Sequence, residues 1–94
     1  MCHRAGSGAG AATMDLRIDR SFADTRTCNV APQAGDLSLV SSNIITPGDP
    51  ARSILTARMR RLDANRMPAV GSRVVDELGT TLVESWIREL PGCP

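Results

Sequence analysis

The sequence predicts a small, mainly α-helical domain with long irregular loops. Three observations carry that expectation. Two stretches, both beyond residue 46, place apolar residues at helical spacing, and each is opened by an aspartate. The first thirteen residues are rich in Gly, Ala and Ser, a composition that favours a loop over a packed element. The middle of the chain holds only short apolar groups broken by Pro32, Gly35 and a run of small polar residues.

Taken in order, apolar and charged residues alternate from Met14 to Ile18, with Met14, Leu16 and Ile18 to one side and Asp15, Arg17 and Asp19 to the other, which predicts a short extended segment or strand. Residues 21–27 suit a single turn of helix around Phe22, and residues 29–36 a turn-rich loop. Leu37, Leu39 and Val40, then Ile44 and Ile45, are apolar groups separated by Ser41, Ser42 and Asn43, and are expected to supply core contacts from extended chain.

The first long helix is predicted to start at Asp49, whose carboxylate can accept free backbone N–H groups while Pro50 occupies a position that needs none. Ile54, Leu55, Met59 and Leu62 form its apolar stripe, and Asp63, Ala64 and Asn65 end it. A second helix is predicted from Asp76 to the stop at Pro91-Gly92. Leu78, Leu82, Val83, Trp86, Ile87 and Leu90 mark one face of it, and Glu77, Thr81, Glu84, Ser85 and Arg88 the other. Gly79 weakens its first turn, a cost that close approach of another backbone would offset.

The chain has 94 residues, enough for one domain with a modest core, and its only aromatics are Phe22 and Trp86. A bound apolar cofactor, another domain or a disulfide would strengthen so small a core. All eleven basic residues are Arg, balanced by ten acids to a net charge of +1, which gives no strong field for nucleic acid or a membrane surface. Arg58, Arg60, Arg61 and Arg66 cluster without interleaved aromatics and read as a solvated helix face. No apolar run is long enough to span a bilayer, and the first residues lack the apolar core of a signal peptide.

Most catalytic templates fail. There is one histidine, His3, and nucleophilic catalysis needs such a base beside a serine or cysteine in a formed site. Asp76-Glu77 reads as a helix cap followed by a favourable first-turn charge. There is no GxGxxG, no phosphate loop and no CxxC pair. Cys2, Cys28 and Cys93 lack metal-ligand spacing, so a zinc knuckle is excluded; a Cys28 to Cys93 disulfide and two separate thiols both remain open on the residues alone. Two dipeptides remain. Cys2-His3 is the second half of the CxxCH signature, in which thiols bind haem vinyl groups and the imidazole binds iron. Met67-Pro68 follows a helix end, and a proline-fixed methionine can offer its thioether as an opposite ligand, although Met more often fills a core.

Read together, these motifs resemble the C-terminal c-type cytochrome modules of larger secreted bacterial proteins. The likeness runs through Cys2-His3-Arg4, Asp15-Leu16-Arg17-Ile18-Asp19, Thr25-Arg26-Thr27-Cys28-Asn29-Val30-Ala31-Pro32 and Pro47-Gly48-Asp49-Pro50. It continues through Ser53, Leu55, Arg58-Met59, Asp63-Ala64-Asn65-Arg66-Met67-Pro68, Val75-Asp76, Trp86-Ile87 and Gly92-Cys93. No single motif is decisive, and the specificity lies in their order and joint presence.

The resemblance implies a cytochrome c-like fold and electron transfer by a covalently attached haem c. Cys2 would be the thioether attachment, His3 the proximal iron ligand and Met67 the distal one, with Met59 in reserve. Cys28 and Cys93 match family cysteines that look like a structural disulfide, and Trp86 would pack the last helix on the haem-side core. It further implies a carrier without a catalytic site of its own, a redox partner protein or attached dehydrogenase-like domain, and a periplasmic or extracellular setting. The departure is at the start: the first cysteine of CxxCH would lie three residues before Cys2, and Met1 stands where the signature has its second variable residue. The N-terminal helix that carries the motif is likewise missing from this sequence. The expectation is a domain begun inside a longer reading frame, with part of the Leu78, Leu82 and Trp86 face left exposed. The alternative from another class is a haem-free structural or protein-interaction module stapled by a disulfide. A third reading, an Arg-rich binder of nucleic acid, has only the arginine cluster to support it.

Overall fold

In a computed structural model the chain builds two α-helices, α1 at Ile54–Met59 and α2 at Glu77–Glu89, preceded by 3-10 turns at Ala23–Thr25 and Pro50–Arg52. The structure describes His3, residues 13–68 and residues 74–93; the expectations for Cys2 and the Gly, Ala and Ser tract lie outside the described residues. Among the described residues there is no β-strand, only two isolated parallel bridges, Cys28 with Ile45 and Asn43 with Ser53.

Those bridges define the middle layer. Residues 43–45 run between two neighbouring segments. On one side Asn29 N donates to Ile45 O (2.8 Å), Ile45 N to Thr27 O (3.0 Å) and Ile44 N to Val30 O (2.7 Å). On the other, Ile54 N and Leu55 N donate to Asn43 O (2.9 Å) and Ile44 O (3.1 Å). The first free N–H groups of α1 are therefore satisfied by loop carbonyls, which is why the helix needs no side-chain cap. Asp49 makes no capping hydrogen bond, contrary to expectation.

The first helix is also shorter than its pattern. Ser53 interrupts it in an extended conformation, with its Oγ accepting from Thr46 N (2.9 Å) and donating to Asp49 O (3.0 Å). A buried hydroxyl that can bond the backbone at a turn competes with helix continuation, and here it wins. The far end stops at Met59, and Leu62 stands exposed rather than on the stripe.

The second helix begins as predicted: the Asp76 carboxylate accepts from Gly79 N at 2.9 Å, a cap worth about 1 kcal/mol. Gly79 has a local reason. A Cβ there would lie 2.5 Å from Asp76 Oδ2, so what approaches is the capping side chain itself, not another backbone. At the other end Gly48, with φ +77°, donates its N–H to Ile87 O (2.8 Å), so the Pro47-Gly48 turn closes on the last turn of α2.

The core gathers Ile44, Ile45 and Ile87, with Met14, Phe22, Val30, Leu55, Val83 and Leu90 packed against them, and Ile54 buried beside it. The apolar arc of α2 differs from the predicted one. Thr80 and Ile87 are fully buried, whereas Leu78 and Leu82 are 88% and 72% exposed. Trp86 packs edge-to-face on Phe22, ring centroids 5.2 Å apart, and stays partly exposed.

Arg60 ties the two helices together, donating from Nη2 and Nε to Glu84 (2.6 and 3.0 Å) and from Nη1 to Glu77 (2.9 Å). Arg61 pairs with Asp63 at 3.0 Å, so these two members of the arginine cluster are matched by acids on the surface.

The segment 14–18 corrects the alternation most clearly. Ile18 is fully exposed and Asp15 is buried. The Asp15 carboxylate accepts from Arg17 Nη2 (2.7 Å) and Nε (3.0 Å), and Arg20 Nε stands at 3.3 Å. A fork of this kind satisfies the carboxylate inside the fold, and the paired guanidinium holds its pKa down to about 2. Because the folded value lies below the ordinary one, this contribution to stability is complete above the unfolded pKa, about 4, and is lost as pH falls through about 2. Asp15→Asn is thus expected to lower the melting temperature at neutral pH and to flatten its fall between pH 4 and 2. Parallel melting curves of the two proteins across that window would contradict it.

Cys28 and Cys93 form a disulfide, Cα atoms 5.7 Å apart, which decides between the two readings left open. It joins the segment beside Ile45 to the chain just beyond α2.

Candidate functional site

The site is a half-open cavity whose wall is mainly apolar, built from Met14, Ile44, Ile54 and Leu55, the loop residues Pro32, Gln33 and Ala34, and Arg58, with His3 and Met67 both lining it. Each contributor is placed by the framework already described. Ile44 comes from the middle layer, Ile54 and Leu55 from the start of α1, and Met14 from the segment that precedes the Asp15 fork.

His3 is tied in by its backbone. Its carbonyl accepts from Leu16 N at 2.7 Å, and Asp15 N donates to Thr25 O at 3.0 Å, so the residue is held to the same layer as Met14. The imidazole is partly buried, and its Nδ1 is enclosed with no hydrogen-bond partner. Burial lowers its pKa from the ordinary value, because desolvation disfavours the charged ring. A neutral imidazole with an unsatisfied nitrogen is the form that binds metals.

Met67 reaches the cavity from the loop after α1. That loop is organised by Asp63, whose Oδ1 accepts from Asn65 N (2.9 Å) and whose carbonyl accepts from Arg66 N (3.1 Å); Met67 N then donates back to Arg58 O (3.0 Å). The Arg58 guanidinium donates to Asn65 O (3.2 Å) on this loop and to Ala34 O (2.8 Å) and Gly35 O (3.3 Å) on the other.

His3 and Met67, the two expected ligands, are therefore brought to one cavity, while Met59, the reserve, lies on α1 and does not line it. Trp86 does not line it either; it packs on Phe22. Cys2 lies outside the described residues. Among the described residues no group of three or more His, Cys, Asp or Glu side chains is assembled. The donor set the cavity offers is one imidazole and one thioether on an apolar wall. An imidazole and a thioether are the donor types that the resemblance assigns to a haem iron.

Sequence reasoning missed Arg58, whose role emerges only when three carbonyls from two loops converge on it. It also missed the buried hydroxyls of Ser53, Thr56 and Thr80. For Ser53 a signal existed in its spacing from Asp49, since a serine four residues on can bond that carbonyl. Compared with protein-family models, with curated proteins and with solved structures, the chain gives no match. No helix among the described residues is long and apolar enough to cross a membrane.

Proposed function

We propose that this chain is a one-electron carrier domain of the c-type cytochrome kind, in which His3 and Met67 would hold a haem iron and Cys2 would supply the covalent link. The single observation that carries the reading is that His3 and Met67, distant in sequence, line one apolar cavity, with the buried imidazole Nδ1 unpartnered. When bound, haem iron takes up and releases one electron between its ferric and ferrous states.

The chain's own residues do the rest. The carbonyl bond to Leu16 N fixes His3, and the bond to Arg58 O fixes the backbone of Met67. Ile44, Ile54, Leu55 and Met14 keep water from the ligands and lower the local dielectric, and a thioether ligand favours the reduced state and raises the potential. The open side of the cavity is where a redox partner protein or an attached dehydrogenase-like domain would dock. A periplasmic or extracellular setting suits both the disulfide and haem c attachment.

The test is a haem titration of the full chain followed by a reduced absorption spectrum. Sharp low-spin bands at one haem per chain are expected, with Met67→Ala converting them to a high-spin pattern and Met59→Ala leaving them unchanged. A chain that takes up no haem, or a spectrum indifferent to Met67→Ala, would leave the haem-free, disulfide-stapled module as the reading.

A further inference from the structure

We propose that Arg58 is the positioning residue for Met67, holding the thioether loop and the opposite rim of the cavity together through one guanidinium; the inference rests on the ligand reading above. Its geometry is unusual for a helix-surface arginine. The neighbouring Arg60 and Arg61 are neutralised by Glu84, Glu77 and Asp63, whereas the donors of Arg58 go to carbonyl oxygens. Nη1 bonds Asn65 O, two residues before Met67, and Nη2 bonds Ala34 O and Gly35 O. Its backbone carbonyl accepts the Met67 N–H itself at 3.0 Å.

Arg58 thus meets both loops that contribute to the cavity, and it lines the cavity with Met67, Gln33 and Ala34. The planar fork is what allows one side chain to serve two loops, because its donors leave in fixed, divergent directions. An ammonium at the end of a lysine stem concentrates its donors at a point and reaches one loop at a time. Arg58 sits in the last turn of α1, so the clamp is referred to a helix whose Ile54 and Thr56 are buried. What it controls is how firmly Met67 is presented, not the chemistry of the sulfur.

Two measurements test this with Arg58→Ala, Arg58→Gln and Arg58→Lys. In the chain without haem, amide exchange at Met67 is expected to quicken by about tenfold in the Ala and Gln variants, the loss of a few partly exposed charge-assisted hydrogen bonds, and by less in the Lys variant. Exchange at the Ile45 and Thr80 amides is expected to stay as in the wild type. No change at Met67, or equal acceleration at all three amides, overturns the proposal, the second because it marks a loss of global stability. In the haem-loaded chain, added imidazole is expected to displace Met67 from the Ala variant at about a tenth of the concentration the wild type needs. Displacement at the same concentration overturns the positioning role while leaving the carrier reading in place. A wild type that takes up no haem defeats the carrier reading instead, and the exchange data then decide the role of Arg58 alone.

Discussion

Reducing the Cys28–Cys93 disulfide is expected to destabilise the chain by about 4 kcal/mol, the loop-closure entropy returned to the unfolded chain when a link across 65 residues is opened. The effect is large because the link closes most of the chain, so it removes much of the unfolded chain's conformational freedom. Cys28 borders the middle layer through its bridge to Ile45, and Cys93 follows α2 directly after Leu90, Pro91 and Gly92. Opening the link removes the covalent tie there and leaves the end of α2 held by the Gly48 N–H to Ile87 O bond and by Leu90 packing. Cys28→Ser and Cys93→Ser are expected to lower stability by similar amounts, and the double variant by little more than either, since both remove one bond. Urea unfolding with and without a reductant reads this directly. A midpoint unchanged by reductant would show that packing alone holds the two ends.

Ile87→Ala is expected to cost about 3 kcal/mol, within the range for emptying a fully buried aliphatic site. Ile87 is enclosed on all sides by the cluster with Ile44 and Ile45, and its carbonyl also receives the Gly48 N–H, so the backbone there is fixed and collapse into the cavity is limited. Leu78→Ala and Leu82→Ala on the same helix are expected to change stability by less than about 0.5 kcal/mol, because both side chains are already in solvent. The contrast is the sharp part. If the three substitutions cost alike, the rotation of α2 about its axis is not the one described.

That contrast shows how far the sequence could be read. The existence and limits of α2 were legible because Asp76 caps and Pro91-Gly92 stop, two local signals that tertiary contacts did not override. Its buried arc was legible only in part. The predicted face held Leu78, Leu82, Val83, Trp86, Ile87 and Leu90; Val83, Ile87 and Leu90 do reach the core, whereas Leu78 and Leu82 are exposed and Thr80, which the pattern left out, is buried. The buried arc is therefore turned from the centre of the apolar face toward Thr80, with Val83 packed on the cluster of Ile44, Ile45 and Ile87. A stripe count has no access to that fit.

The same limit explains residues 14–18. Alternation set Ile18 and Asp15 on opposite sides of an extended segment without saying which is buried; a guanidinium two residues on satisfies the Asp15 carboxylate inside the fold, and Ile18 is exposed. For α1, Asp49 and Pro50 correctly marked where the chain begins to turn, but the Ser53 hydroxyl divided one expected helix into a 3-10 turn and six helical residues. Of the site, His3 and Met67 were read from the sequence through their neighbours, whereas Arg58 could not be, because its partners are main-chain carbonyls that leave no trace in side-chain identity.

The most direct measurement is a proton NMR spectrum of the haem-loaded, reduced chain, which has four methionines. A methionine methyl held against the face of the macrocycle is shifted far upfield by the ring current. One such methyl resonance is expected, present in the wild type and in Met59→Ala and gone in Met67→Ala. All methionine methyls in their ordinary positions in a loaded, reduced chain would contradict the assignment of Met67, together with His3, to a single iron.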